Sequence, residues 1–165
     1  MTDSIQQLIT ALREELQQYG EMLALLDRQQ QMVVARAGAE VFQSVGQIQA
    51  QAAVILGARV RREECRRHTA KKLGRPEETL FADLLPRLPA EYRPLIKALV
   101  EENNELLVRV QQRARQNHLL LSRSLELMQG LLNSLFPAGE TRVYNGNGGM
   151  QKRAGASRAL YEGVG

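Results

Sequence analysis

Three long apolar stripes, in which apolar residues recur every three or four positions, dominate this sequence. They cover residues 5–37, 41–56 and 92–135. Apolar residues at that spacing line one side of an α-helix, whereas a half-buried strand would alternate every second residue. The chain is therefore predicted to be all-α, with three long helices.

Glycine and proline set the predicted limits of the first two helices, at residues 4–36 and 39–73. Gly38 is expected to end the first helix, and Gly74 followed by Pro76 to end the second. A short turn between two long striped helices is typical of an antiparallel helical hairpin. The first 73 residues are predicted to form such a hairpin.

The chain changes character twice after the hairpin. Residues 76–94 contain four of the five prolines, so the backbone must break repeatedly there, with room for a short helix over 79–85. A third long helix is predicted at 91–135, which completes a coiled-coil-like bundle domain of residues 1–138. Residues 139–165 contain seven glycines and no apolar periodicity, which predicts a flexible Gly-rich tail.

Residues that carry catalysis or bind metals are few and scattered. His68 and His118 fall on different predicted helices, Cys65 is the only cysteine, and no glycine-rich loop links a strand to a helix. We predict that the protein is not an enzyme and uses no cofactor, metal or small-molecule substrate. The sequence lacks a signal peptide and an apolar run long enough to span a membrane, so a cytoplasmic location is expected.

A basic cluster at residues 59–75 is the strongest charge feature of a chain whose formal net charge is +4. One interpretation is a patch for nucleic acid or an acidic partner. The other is that cations gather at a helix C-terminus, where the macrodipole favours them. No aromatic residue is interleaved to stack on bases. The cluster consists of Arg59, Arg61, Arg62, Arg66, Arg67, Lys71, Lys72 and Arg75.

The third predicted helix carries more apolar surface than one neighbour needs. Two adjacent stripes cover about half of its circumference, although packing against a single partner needs only about 100°. The surplus predicts either a more deeply buried helix or a surface that binds another protein. The first stripe contains Leu121, Leu125, Met128, Leu132, Leu135 and Phe136, and the second contains Leu120, Leu127 and Leu131.

Tyr144 is unusual because it lies in the predicted polar tail, within the run Arg142-Val143-Tyr144-Asn145-Gly146. Tyrosine is a common anchor of protein interfaces, since it combines a large apolar ring with a polar hydroxyl. The alternative is that this side chain folds back onto the bundle.

Residues 115–148 carry a distinctive order of features. Asn117 precedes a leucine run late in the third helix, a proline break follows at Pro137, and Tyr144 then leads a turn rich in asparagine and glycine. This order resembles the FlgN family of flagellar type III secretion chaperones, and the hairpin around residues 25–30 is similar as well. The family's usual glycine directly after the tyrosine is replaced here by Asn145, so the resemblance is weakest at that point.

The resemblance implies a cytoplasmic chaperone for the two hook–filament junction proteins. Such a chaperone binds the C-terminal helices of its clients, prevents their premature self-association and delivers them to the export gate. Tyr144 would contact the cytoplasmic domain of the export-gate membrane protein, and no nucleic acid is expected as a partner. A coiled-coil scaffold or adaptor, and a basic helical nucleic-acid-binding protein, remain as alternatives. The implied client-binding residues are Leu120, Leu121, Leu127, Met128 and Leu131.

Overall fold

The computed structural model describes residues 2–135 of the 165-residue chain. These residues form helices joined by turns, with no strand among them, which confirms the predicted all-α class. The elements are α1 (Thr2–Val34), α2 (Gly38–Lys72), α3 (Phe81–Leu84), a 3₁₀ turn (Leu85–Arg87) and α4 (Arg93–Leu135).

The chain divides into two units, Met1–Leu121 and Ser122–Gly165, and α4 contributes to both. The second unit is described from Ser122 to Leu135. The predicted domain boundary after residue 138 and the predicted flexible tail lie outside the described residues. Within those residues, no helix is long and apolar enough to cross a membrane.

The turn between α1 and α2 differs from the prediction in its key residue. Arg36, not Gly38, adopts the left-handed conformation, with φ of 57°, and Gly38 is already the first residue of α2. A β-unbranched side chain tolerates this conformation at a modest energetic cost. The prediction that Gly38 ends the first helix is therefore wrong, although the position of the turn is right.

The end of α2 matches the prediction. Gly74 has a φ of 66°, a value that glycine adopts without steric cost. Its backbone N–H donates to the carbonyl of Lys71 at 3.0 Å, and that of Arg75 donates to the carbonyl of Ala70 at 2.9 Å. These two bonds form a Schellman motif, which satisfies carbonyls that the helix end would leave without a donor.

Polar contacts hold α1 and α2 together along most of their length. Gln29 donates to the Ser44 hydroxyl at 3.0 Å, and Gln51 donates to the side-chain oxygen of Gln18 at 2.8 Å. Residues later in α2 contact residues earlier in α1, so the two helices are antiparallel. The predicted hairpin is confirmed.

The apolar stripe predicted for α2 contributes to the seam of the hairpin only in part. Val45 and Leu56 are exposed, at 39% and 64%, while Val41, Ile48 and Ile55 are half-buried. The fully buried residues of α2 are small or polar, which allows close approach and hydrogen bonding. These buried residues are Ser44, Ala58, Arg66, Thr69 and Ala70.

The apolar core is concentrated at the end of the hairpin where α1 begins. Part of the predicted first stripe packs there against the first turns of α4 and against residues 73–92, which join α2 to α4 and which we call the connector. The partly buried Tyr92, Phe81 and Leu73 of the connector pack against the cluster. Burial of large apolar side chains is the main favourable contribution to folding, so this cluster anchors the bundle. Its buried members are Ile5, Leu8, Ile9, Leu12, Leu88, Ile96 and Leu99.

Two buried asparagines set the alignment of α4 with α1. The side-chain amide of Asn103 donates to the Leu12 carbonyl at 3.0 Å, and that of Asn117 donates to the Leu26 carbonyl at 2.8 Å. Both the donors and the acceptors are 14 residues apart, which is two heptads. This part of α4 therefore runs parallel to α1, in constant register.

Candidate functional site

The last turns of α4 carry large apolar side chains that are open to solvent. We call this set the α4 apolar face. Its exposed fractions range from 56% at Leu132 to 75% at Leu127, although such side chains are ordinarily among the most buried in a protein. The face consists of Leu125, Leu127, Met128, Leu131, Leu132 and Leu135.

These six side chains share one side of the helix. At 100° per residue they span an arc of about 160°, while Glu126, Gln129 and Asn133 point to the opposite side. The segment Ser122–Leu135 is 14 residues long, and therefore about 21 Å in length. This division between apolar and polar sides, interrupted by Ser124 within the apolar arc, is what an amphipathic helix presents to a helical partner.

The predicted client-binding residues differ in exposure. Leu127, Met128 and Leu131 belong to the α4 apolar face, with exposures of 75%, 64% and 59%. Leu120 and Leu121 are half-buried and lie in the first unit. Their assignment to client binding remains a prediction, as does that of the other three.

Asn117, the first residue of the pattern that resembles the family, is buried and has a structural role between α4 and α1. It is 2% exposed, and its amide also donates to the Gln29 side chain at 3.0 Å. A buried amide that donates to the backbone of another helix fixes the register of the two helices. Sequence reasoning did not distinguish this role from a contact with a partner.

A second group of exposed apolar residues lies on α2, and sequence reasoning missed it. Phe42 is 82% exposed, Leu56 64% and Val60 51%. The signal was present in the sequence, because α2 has apolar residues on more than one side. It was misread because the stripe containing Leu56 was assigned to the hairpin seam.

The basic cluster is largely paired with carboxylates of the same chain. Arg61 contacts Glu14 at 2.7 Å, while Arg62 and Arg59 contact Glu15 at 2.9 and 4.0 Å. Glu15 is 3% exposed and also accepts a hydrogen bond from Tyr19 at 3.0 Å. Burial, together with this carboxylate, raises the pKa of Tyr19 to about 12.

Lys71 contacts Glu77 at 3.7 Å, and Glu63 is the centre of the other pairs. It contacts Arg62, Arg66 and Arg67, and the hydrogen bond from Arg66 lowers the pKa of Glu63 to about 2. Arg66 is 5% exposed and also donates to the Thr79 carbonyl, so it ties the connector to α2. Neither interpretation of the cluster anticipated this role, in which most of its cations stabilise the fold through ion pairs.

Groups with reactive or metal-binding chemistry do not converge in the described residues. No cluster of three or more His, Cys, Asp and Glu side chains there could hold a metal ion. Cys65 is half-buried, and burial raises the pKa of its thiol, which makes it less reactive. Tyr144, the predicted gate-binding residue, lies outside the described residues.

Long paired helices with an exposed amphipathic face are typical of all-α proteins that bind other proteins. A family model described as FlgN protein matches residues 1–152, and the chain belongs to this family. FlgN proteins are flagellar export chaperones, a family of chaperones rather than of enzymes. No curated protein and no solved structure matches the sequence.

Proposed function

We propose that this chaperone binds hook–filament junction proteins in the cytoplasm and carries them to the export gate. The client would lay the apolar side of its C-terminal helix on the α4 apolar face. The observation that carries this proposal is the set of six exposed leucine and methionine side chains on one side of α4. Covering the client helix would prevent its premature self-association.

The size of the face suits a helix of about four turns. Each of its six side chains is more than half exposed, and full burial of one such side chain contributes about 1.5–3 kcal/mol. Covering the exposed part of all six would contribute roughly 6–10 kcal/mol before the cost of ordering the client is subtracted. Once that cost is subtracted the net free energy of binding is small, so a reversible complex is expected, which suits a carrier that must release its cargo.

Binding to truncated clients tests this proposal. Isothermal titration calorimetry would compare each full-length junction protein with a form that lacks its C-terminal helix. We expect a one-to-one complex with the full-length protein and no measurable heat with the truncated form. Equal binding of both forms would contradict the proposed client site, and binding of neither would contradict the proposed clients.

Delivery is proposed to depend on Tyr144, which we infer contacts the cytoplasmic domain of the export-gate membrane protein. The support for this inference is the matched family together with the position of Tyr144 within the matched residues 1–152. Its aromatic ring and hydroxyl suit a small interface anchor.

Changing Tyr144 to Ala is expected to separate delivery from client binding. The free energy of unfolding should change by less than about 0.5 kcal/mol, as for other surface substitutions, and client affinity should stay normal. Binding to the gate domain and secretion of the client should both fall. Tyr161→Ala is the matched control and should leave gate binding intact. A large stability loss, or normal gate binding by Tyr144→Ala, would contradict the docking role.

A further inference from the structure

The packing of α4 changes along its length. Its first turns lie in the apolar core, and Leu99 is the last apolar side chain of α4 to be buried there. Beyond Leu99, the buried α4 side chains among the described residues are Asn103 and Asn117. We call residues 103–121 the middle segment of α4, and its leucines and valines are half-buried or exposed. The middle segment therefore has little of the apolar burial that usually holds a helix to its neighbour.

Both buried asparagines have a side-chain oxygen that lacks a donor among the described residues. Nδ2 of Asn103 donates to the carbonyls of Leu12 and Leu99, at 3.0 and 2.8 Å, but the Oδ1 atoms of Asn103 and Asn117 accept no hydrogen bond there. A buried acceptor without a partner costs free energy, which offsets part of what the amide nitrogens contribute. A polar residue in a helical seam thus fixes the register at a cost in stability.

An open cleft of about 400 Å³ lies beside Asn103, where the middle segment begins. Glu15, Tyr19 and Arg62 of the hairpin line it on one side, and Leu107 of α4 lines it on the other. Elements that pack closely leave few spaces larger than a water molecule between them. The packing of α4 on the hairpin is therefore incomplete at this point.

The ion pair of the middle segment is open to solvent. Arg113 Nε lies 2.7 Å from Asp27 Oδ1, and the two side chains are 33% and 45% exposed. Arg113 also donates to the side-chain oxygen of Gln30. An ion pair at this exposure contributes little to stability, because water screens the charges and two long side chains must be ordered. These contacts therefore do not replace the missing apolar burial.

We propose that the middle segment of α4 opens away from α1 as one unit, while the first turns of α4 stay in the apolar core. The segment bends away between Leu99 and Asn103, where burial changes from apolar to polar. On closing, the amides of Asn103 and Asn117 return it to a single register. Opening uncovers the side of α1 around the buried Tyr19. It gives the chaperone a second state, which a ligand specific for that state would populate.

Hydrogen exchange of the full-length chain, followed by mass spectrometry, tests the opening. A helix without a packed side is only marginally stable in water, so its amides exchange when it opens. We expect amides of residues 103–117 to exchange at least about tenfold faster than those of residues 8–12 in the core, with similar protection along the segment. Equal protection of the two ranges would overturn the opening. Protection that falls steadily from residue 103 to residue 117 would overturn opening as one unit, because fraying from one end produces that gradient.

Asn103→Leu tests whether the polar seam sets the opening. The substitution removes the oxygen that lacks a donor, and the cleft beside residue 103 has room for the leucine side chain. Exchange of the middle segment should slow about tenfold, and the midpoint of thermal unfolding should rise. Gln112→Leu, at an exposed position of the same segment, is the matched control and should exchange within about twofold of the wild-type rate. An Asn103→Leu protein that exchanges at or above the wild-type rate, or that does not fold, would overturn the role of the seam.

Discussion

Replacing both Leu127 and Leu131 with serine is expected to weaken client binding about a thousandfold. Truncation of a buried interface anchor typically costs about 2 kcal/mol or more, and two such losses amount to about 4 kcal/mol. Both side chains are exposed in the free protein, at 75% and 59%, so their removal opens no cavity. Calorimetric titration with the C-terminal helix of a junction protein measures the change.

Folding of this double variant can be checked independently. Serine has a lower helix propensity than leucine, which costs about 0.5 kcal/mol per substitution, so circular dichroism should show nearly unchanged helicity. Leu56→Ser/Val60→Ser is the matched control, because it removes two exposed apolar side chains from α2. It should bind the client normally. Equal losses in both double variants would show that the effect is not specific to the α4 apolar face.

Local signals predicted the elements of this fold well. The three long helices follow from apolar periodicity, and Gly74 ends α2 as predicted because glycine alone adopts its φ of 66° without steric cost. The connector was predicted as a break with one short helix at 79–85, and it contains α3 at Phe81–Leu84. These features depend on residues close in sequence, which is why they could be predicted.

The hairpin of α1 and α2 was predicted, but the residues through which the helices contact each other were beyond the reach of these local signals. Periodicity shows which residues share a side of a helix, but not which element covers that side. The face of α2 toward α1 contains many polar residues, and its ion pair between Arg62 and Glu15 joins residues 47 positions apart. The basic cluster was consequently interpreted from its local charge alone, although its partners lie on α1.

The candidate site was predicted only in part, because the sequence pattern does not show which element covers a given side of a helix. Surplus apolar surface late in α4 is a local property, and Leu127, Met128 and Leu131 are indeed exposed. The half-burial of Leu120 and the buried position of Asn117 depend on neighbours in space. The same limitation hid the exposed apolar residues of α2, since exposure of Phe42 follows from the absence of a covering element in the described chain.

Changing Ile96 to Ala is expected to cause the largest loss of stability among the substitutions considered. Ile96 is fully buried in the small core where α4 meets the first turns of α1. Truncation of such a side chain costs about 2–5 kcal/mol, because it removes apolar contacts and leaves a cavity. Domains of this size are stable by only about 5–15 kcal/mol, so the midpoint of thermal unfolding should fall by roughly 6–15 °C.

The matched control for this substitution lies on the same helix. Leu132→Ala removes an aliphatic side chain that is 56% exposed, and it should change the free energy of unfolding by less than about 0.5 kcal/mol. The order should be reversed for client binding. Leu132→Ala should weaken it, because Leu132 belongs to the α4 apolar face and Ile96 does not. A folded Ile96→Ala protein at low temperature should therefore bind the client with near-normal affinity. Similar stability in both variants would show that the core cluster does not anchor α4.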